Sequence, residues 1–256
     1  MSEGPAHEAG CHPLSDKVAL VIGGSRGIGA AIARRFASFG TRVAIGYRTR
    51  SDAAETVVTE IVAAGGSCMA VQGDITQTEA AHRIVHHTVA QYGRIDILIN
   101  GAAVAPYRPL DAIDAAFVRA VFDTNVLGTV LVTQAALPHL TSPGGRIINF
   151  ASGLAFRPIP TSSIYAASKA AVVTLTQAFS KELGSKGITV NAVAPGVTET
   201  EMSTAILAER GADIIAATPL GRIGQPEDIA GIVTFLASPE AGWITGRTIL
   251  ADGGMT

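Results

Sequence analysis

The sequence has few of the features that mark membrane, secreted or nucleic-acid-binding proteins. Charged residues make up only 16% of the 256 positions, the net charge is −2, and lysine and arginine form no run. We therefore expect no nucleic-acid partner and no anionic membrane surface as partner. No continuous apolar run reaches the ~18 residues that a membrane span needs. The polar start does not resemble a signal peptide, so we expect a cytoplasmic protein.

Cysteine is also scarce. Cys11 and Cys68 are the only two, and their separation matches no metal-binding motif, so we expect ordinary thiols in a reducing compartment and no metal site. With 48% hydrophobic residues, the chain is long enough to bury one large core. We predict a flexible tail over residues 1–15 and one domain over residues 16–256.

From Lys17 onward, short apolar runs alternate with segments of helical spacing. Val18–Ile22 is apolar throughout, residues 28–39 have helical spacing, and residues 42–45 are apolar again. Further strands are predicted at 68–71, 95–99, 146–150, 188–193 and 248–250, and further helices at about 52–64, 111–122, 126–140 and 163–187, with starts near 76 and 225. This order predicts an α/β fold: a three-layer, doubly wound parallel sheet of the Rossmann type with about seven strands.

Residues that follow the strands are the candidates for a ligand site, because such sheets bind ligands at the carboxyl ends of their strands. The first strand is followed by Gly23-Gly24-Ser25-Arg26-Gly27-Ile28-Gly29. Glycines let the backbone approach a pyrophosphate, and the start of the next helix offers free N–H groups and a positive dipole end. A glycine-rich turn alone is weak evidence, but its place after the first strand favours dinucleotide binding.

A second candidate feature is the spacing of Tyr165 and Lys169 in the predicted helix 163–187. Side chains four positions apart project from the same helix face, so the phenol and the ammonium can reach one common site. A nearby cation favours tyrosinate and would lower the pKa of Tyr165. The alternative is an exposed aromatic–cation pair on the helix surface.

Over residues 16–256 the sequence resembles the short-chain dehydrogenase/reductase family, in the branch that includes 3-oxoacyl-acyl-carrier-protein reductases. The glycine turn, Tyr165-x-x-x-Lys169 and Pro195-Gly196 match its motifs. The resemblance implies hydride transfer between a nicotinamide cofactor and a carbonyl or secondary alcohol. It implies as catalytic residues Asn125, Ser152, Tyr165 and Lys169. It implies as cofactor-binding residues Gly23, Ser25, Arg26, Ile28, Gly29, Arg48, Asp74, Ile75, Asn100, Ala102, Tyr165, Lys169, Pro195, Gly196, Thr198 and Thr200.

The roles implied by the resemblance agree with the chemistry of the residues. Tyr165 would protonate the carbonyl oxygen while Ser152 donates a hydrogen bond to it. Lys169 would lower the pKa of Tyr165 and bind the nicotinamide ribose, and Asn125 would hold a water that links Lys169 to solvent. Taken alone, Ser152 could cap a turn and Asn125 could cap a helix. The resemblance leaves two other functions open: an oxidative alcohol or sugar dehydrogenase, and a catalytically silent NADP-binding regulatory protein.

The end of the second strand bears on the choice of cofactor. An NAD enzyme would place an acid there for the ribose 2′-hydroxyl, whereas this chain has Arg48 and Arg50 and no acid before Asp52. We therefore expect NADP(H) rather than NAD(H). Arg48 and Arg26 would pair with the 2′-phosphate, unless both are solvated surface charges.

Ile22, Gly101, Ala103 and Thr198 depart from the family pattern. Ile22 replaces a threonine, and Gly101 replaces an asparagine after the fourth strand. We expect apolar packing between Ile22 and Gly101 where the family has polar ties. Thr198, in place of a larger aliphatic residue, leaves the contacts of the nicotinamide carboxamide open.

The expected substrate pocket is largely apolar. It would be lined by Val104, Pro106, Tyr107, Leu154 and Phe156, and by a lid over residues 197–217 that carries Met202, Ile206 and Leu207. Arg108 and Arg157 flank its entrance. We expect a small, weakly polar ketone or a 3-oxoacyl group as substrate. The segment 242–254 resembles the edge at which the family assembles, which predicts a homotetramer.

Overall fold

A seven-stranded parallel sheet organises the chain, of which the computed structural model describes residues 12–256. The strands are β1 Val18–Ile22, β2 Arg42–Tyr47, β3 Ser67–Gln72, β4 Ile97–Asn100, β5 Arg146–Phe150, β6 Thr189–Pro195 and β7 Thr248–Ala251. They lie in the order β3-β2-β1-β4-β5-β6-β7 and pair in parallel throughout. The order reverses between β1 and β4, and this switch point is where such sheets bind ligands.

Helices cover both faces of the sheet. They are α1 Gly27–Ser38, α2 Ser51–Ala63, α3 Thr78–Tyr92, α4 Ala115–Phe122, α5 Gly128–Ala136, α6 Ser163–Leu183, α7 Thr204–Ala217 and α8 Pro226–Ala237. Ala19 and Val21 of β1 belong to the core on the side of α1 and α8, whereas Leu20 belongs to the core on the side of α3 and α5. Both faces of β1 are therefore buried, and the three-layer α/β fold predicted from the apolar runs is confirmed.

Two helix predictions need correction. The start predicted near residue 76 rests on Thr76 and Glu79, which match a capping box. Helix α3 begins at Thr78, and the Thr76 hydroxyl donates to Asp74 Oδ1 at 2.9 Å instead. The predicted helices 111–122 and 126–140 are joined by a turn of π-helix at Asp123–Leu127. Such turns occur often at functional sites.

The first described residues pack on the domain. Leu14 is 1% exposed and belongs to the core on the side of α1, and the Thr41 hydroxyl donates to its carbonyl at 2.8 Å. Cys11 and most of the predicted tail over residues 1–15 lie outside the described residues. Cys68 is half-buried in β3, and burial raises the pKa of its thiol to about 12, which fits an unreactive thiol.

Asp96 ties together the amino-terminal ends of the central strands. Its carboxylate is 2% exposed and accepts hydrogen bonds from the Val18 amide at 2.8 Å, Arg94 Nε at 2.9 Å and the Thr141 hydroxyl at 2.7 Å. Burial acts to raise the pKa of Asp96, but these hydrogen bonds outweigh burial and hold it below its ordinary value.

One described segment, Ala115–His139, is long and apolar enough to cross a membrane, with 25 residues and a mean hydropathy of 1.5. Core helices of globular domains meet the same criterion. Here α5 packs against α3, the π-helical turn packs against α6, and Asn125 of that turn is buried. The polar side chains of Asp123, Thr124 and Asn125 interrupt its apolar sequence.

Candidate active site

Tyr165 and Lys169 form a buried pair on the first turns of α6. Tyr165 is 8% exposed and Lys169 is 2% exposed, and Lys169 Nζ lies 5.9 Å from the centre of the Tyr165 ring. Lys169 Nζ also donates to the carbonyl of Phe150, at the carboxyl end of β5, at 2.7 Å. The alternative of an exposed surface pair is therefore wrong, and both groups meet at the ligand-binding edge of the sheet.

Burial controls the charge of both groups. It raises the pKa of Tyr165 to about 12, although a hydrogen bond with Ser152 acts in the opposite direction. It lowers the pKa of Lys169 to about 8. The expectation that Lys169 lowers the pKa of Tyr165 is thus not met in this structure, because desolvation of the phenolate is the larger effect. Tyr165 is a protonated phenol at neutral pH.

Ser152 follows β5 and is buried beside Tyr165. Its hydroxyl oxygen accepts from the Leu154 amide at 3.2 Å and so caps the short turn Gly153–Ala155. Its hydrogen bond with Tyr165 is one of the influences on the pKa of that phenol. Ser152 therefore caps a turn and also adjoins the candidate acid.

Asn125 lies in the π-helical turn and is 1% exposed. Its amide group exchanges two hydrogen bonds with the Val104 backbone, both 2.9 Å, and donates a third to the Ser168 hydroxyl at 3.0 Å. Asn125 therefore joins the loop after β4 to α6, one residue before Lys169. The role of a helix cap does not apply, and the link to Lys169 through a water remains a prediction.

The glycine turn between β1 and α1 is packed so closely that it needs glycine at two of its positions. Gly23 has a φ of +80°, and a Cβ at Gly29 would lie 2.2 Å from the Gly23 carbonyl oxygen. No side chain caps the start of α1. Its first N–H groups are therefore available to an anion, as a pyrophosphate site requires.

Asn100, at the end of β4, is buried and uses only part of its hydrogen-bonding capacity within the described chain. It is 5% exposed, and its amide nitrogen donates to Thr133 at 3.0 Å and to Asn149 at 2.9 Å. Its side-chain oxygen has no partner within the described chain. A buried unpaired acceptor at a strand end and an uncapped glycine turn both fit a nicotinamide dinucleotide at this edge.

The other predicted cofactor-binding residues follow the carboxyl ends of β1, β3, β4 and β6. They are Ser25, Ile28, Ile75, Ala102, Pro195, Gly196, Thr198 and Thr200. Close approaches join these segments: a Cβ at Gly23 would lie 2.9 Å from the Ala102 amide, and one at Gly27 would lie 3.2 Å from Thr200. The structure thus brings the predicted set to one edge of the sheet.

The tie between β1 and β4 is made by the backbone. The Gly101 amide donates to the Ile22 carbonyl at 3.0 Å, and a Cβ at Gly101 would lie 2.9 Å from that oxygen. The Ile22 side chain instead approaches Gly46 of β2. The expected packing of Ile22 on Gly101 is therefore wrong: glycine at 101 leaves space for the neighbouring carbonyl.

The arginines expected at the 2′-phosphate position are paired with carboxylates. Arg26 contacts Glu201 at 2.8 Å, and Arg48 lies 3.9 Å from Asp74. Arg50 contacts Glu201 as well, at 3.7 Å. The sequence analysis named Arg50 at the end of the second strand but did not single out Glu201. No local pattern marks Glu201, because its partners are distant in the chain.

The expected substrate pocket adjoins Tyr165. The ring of Tyr107 packs edge-on to that of Tyr165, with ring centres 6.2 Å apart. Phe156 and Met202, which follow β5 and β6 in the chain, expose about half of their surface. Arg108, expected to flank the entrance, is held by Asp114 at 3.3 Å and by the Phe117 ring. Arg157 donates to the carbonyl of Met255. Both arginines are thus engaged within the protein.

Comparison with known proteins points to one family. A family model described as enoyl-(acyl carrier protein) reductase matches residues 22–256. A 3-oxoacyl-[acyl-carrier-protein] reductase of Synechocystis is 41% identical over 244 residues, which are 94% of this chain and 98% of that protein.

Solved structures agree with this assignment. A short-chain dehydrogenase of Burkholderia cenocepacia in complex with NADP is 38% identical, with a TM-score of 0.90 over 95% of this chain and 99% of that one. A blue fluorescent protein from a metagenomic library, in complex with NADPH, is 36% identical with a TM-score of 0.90 over 96% of this chain and 100% of that one. The chain is an oxidoreductase that belongs to the short-chain dehydrogenase/reductase family.

Proposed function

We propose that this protein is an NADPH-dependent carbonyl reductase, in which Tyr165 is the proton donor. The observation that carries the proposal is the buried phenol of Tyr165, whose pKa is raised to about 12, beside the ammonium of Lys169 and the hydroxyl of Ser152. A phenol that stays protonated at neutral pH suits the acid of a reduction. Oxidation needs the phenolate, so an oxidative activity of the same site would rise with pH.

The bound nicotinamide would supply the hydride. Gly23, Gly29 and the start of α1 would hold its pyrophosphate, and Lys169 would bind the ribose hydroxyls. As negative charge develops on the substrate oxygen, Ser152 would donate a hydrogen bond and Tyr165 its proton. Asn125 would keep the loop at Val104 and helix α6 in register around that oxygen.

The preference for NADP(H) is supported by the charges beside the glycine turn. Arg26, Arg48 and Arg50 surround the end of β2, where an acid would be needed for NAD(H). The structural neighbours from Burkholderia and from the metagenomic library were solved with NADP and NADPH. Guanidinium groups are suited to a 2′-phosphate, because they donate in a fixed fork.

For the substrate we propose a ketone with an apolar body; a 3-oxoacyl thioester is one compound of this class. Tyr107, Phe156 and Met202 offer apolar surface, being 43%, 47% and 58% exposed. The neighbouring Arg108 is paired with Asp114 and offers little free charge to an anionic substrate.

We further propose a cytoplasmic homotetramer of one domain over residues 16–256, with a lid over residues 197–217. Trp243 is fully exposed, and Phe235 and Leu250 are 47% and 41% exposed at the edge formed by β7 and α8. Exposed apolar groups at a sheet edge suit a subunit interface. Light scattering during size exclusion would give a monomer mass if this assembly is wrong.

The test of the function is turnover of a β-ketoester, an aryl ketone and a 3-oxoacyl thioester with NADPH and with NADH. We expect turnover with NADPH, and loss of roughly 10²-fold or more in Tyr165→Phe, the range of general acid catalysis. The control is Tyr92→Phe, which makes the same chemical change on α3, where the phenol contacts Ser67. Equal activity of Tyr165→Phe and the wild type, or turnover of alcohols alone, would contradict the proposal.

A further inference from the structure

Three arginines and three carboxylates meet beside the glycine turn. The pairs are Arg26–Glu201 at 2.8 Å, Arg50–Glu201 at 3.7 Å, Arg50–Asp52 at 2.9 Å and Arg48–Asp74 at 3.9 Å. The charges of this group balance. A site that is to hold a dianionic phosphate therefore starts with its cations already neutralised.

Glu201 differs from the other two acids in its origin. Asp52 lies in the first turn of α2, two residues after Arg50, and Asp74 follows the neighbouring strand β3. Glu201 belongs to the proposed lid after β6, 175 positions from Arg26. Its neighbour Thr200 lies against the glycine turn, where a Cβ at Gly27 would be 3.2 Å from the Thr200 methyl. The start of the lid thus extends over the turn, and Glu201 reaches the arginines from that side.

A carboxylate and a phosphate compete for the same guanidinium donors, since both accept charge-assisted hydrogen bonds in the same geometry. The side chains of Arg26 and Glu201 are 54% and 57% exposed, so their contact is open to solvent and can exchange. A dianionic phosphate can therefore replace the Glu201 carboxylate at Arg26. Breaking the Arg26–Glu201 ion pair reduces the free energy gained when the phosphate binds.

We propose that Glu201 is a selectivity-determining residue: its carboxylate occupies Arg26 and Arg50 until a 2′-phosphate displaces it, and so it weakens the binding of NADPH but not of NADH. The proposal rests on the proposed function, in which the arginines Arg26, Arg48 and Arg50 favour a cofactor with a 2′-phosphate. It links the lid to the cofactor site, because Arg26 cannot serve the lid and the phosphate fully at once.

The test is equilibrium binding of NADPH and NADH to the ligand-free protein, followed by nicotinamide fluorescence. Glu201→Gln should bind NADPH about three- to fivefold more tightly, the factor that an exposed ion pair corresponds to, and NADH unchanged within about twofold. The gain should shrink as salt is added. The control is Glu199→Gln, an equal charge change on the same segment; Glu199 accepts from Gln225 at 2.8 Å instead of from an arginine.

The two variants and the wild type separate the competition by Glu201 from the proposed cofactor preference. If the wild type prefers NADPH and Glu201→Gln binds it equally or more weakly, the competition is refuted while the proposed function stands. If Glu199→Gln gains as much, net charge and not the contact with Arg26 is responsible, and the inference fails. A wild type without preference for NADPH would overturn both the proposed cofactor and the role of Glu201.

Discussion

Replacing Lys169 by methionine should make the protein more stable at neutral pH, because it removes a buried charge. The native pKa of Lys169 is about 8, against 10.5 for the free side chain. The unfolded chain therefore binds the proton more tightly between these values, and linkage gives a penalty to the native state of about 3 kcal/mol at pH 7. Loss of the 2.7 Å hydrogen bond to Phe150 removes about 1 kcal/mol of stabilisation. The net gain expected for Lys169→Met at pH 7 is about 2 kcal/mol.

The gain should disappear as the pH rises. Below pH 8 the native state carries the buried ammonium and the penalty is complete; as the pH approaches 10.5 the unfolded chain also loses the proton. At pH 9.5 the penalty is only about 1 kcal/mol by the same linkage relation, and the lost hydrogen bond offsets it. The wild type should therefore gain about 2 kcal/mol relative to Lys169→Met between pH 7 and pH 9.5.

Thermal unfolding of both proteins at the two pH values measures this difference. For a domain of this size about 2 kcal/mol corresponds to roughly 4–8 °C in Tm. The control is Lys181→Met, which removes an exposed ammonium from the same helix and should give a Tm difference that is nearly independent of pH. A Tm difference for Lys169→Met that stays constant from pH 7 to pH 9.5 would refute the reasoning that burial lowers the pKa of Lys169.

Three further predictions concern residues that shape the site or the sheet. Gly29→Ala should abolish cofactor binding by calorimetry, because its Cβ would lie 2.2 Å from the Gly23 carbonyl oxygen; unchanged affinity would show that the turn can move. Ser168→Ala removes the hydroxyl that accepts a hydrogen bond from the Asn125 side-chain amide at 3.0 Å. It should lower kcat by about tenfold, with a Tm loss of only a few degrees. An unchanged kcat would contradict the role of Asn125 in positioning α6. Asp96→Asn should lower the free energy of unfolding in urea by about 1–3 kcal/mol at neutral pH. The pKa of Asp96 is lowered in the folded protein, so its carboxylate stabilises the fold at a pH above the ordinary pKa of an aspartate, and this contribution is lost on acidification. The difference between Asp96→Asn and the wild type should therefore shrink as the pH falls.

Much of the fold follows from local sequence. The apolar run Val18–Ile22 coincides with β1, because a strand buried on both faces needs apolar residues. The strand predicted at Arg146–Phe150 coincides with β5, although that strand also buries the polar side chains of Arg146 and Asn149. The capping box expected at Thr76 did not form, because the Thr76 hydroxyl hydrogen-bonds to Asp74 and α3 begins two residues later. The π-helical turn at Asp123–Leu127 has no signal in helical periodicity.

The site shows the same division between local and distant causes. The positions of Tyr165 and Lys169 follow from a spacing of four in a helix, so the sequence suffices to bring them together. Their pKa values do not, because desolvation depends on how many other segments cover them. Glu201 could not be associated with Arg26 for a similar reason: the contact joins residues 175 positions apart, because the segment after β6 passes close to the glycine turn.

Burial of Tyr165 and Lys169 decides which protons the ligand-free candidate site holds at neutral pH. Burial moves the pKa of Tyr165 up to about 12 and that of Lys169 down to about 8, so each shift favours the uncharged form. At pH 7 an amine of pKa about 8 is still protonated in roughly nine of ten molecules, whereas the phenolate is nearly absent. The resting site therefore holds an ammonium and a neutral phenol, both with protons to give. An alkoxide that forms beside them would be stabilised by the cation and protonated by Tyr165. An alcohol would instead give its proton to the phenolate, and burial makes that form scarce in the ligand-free site at pH 7.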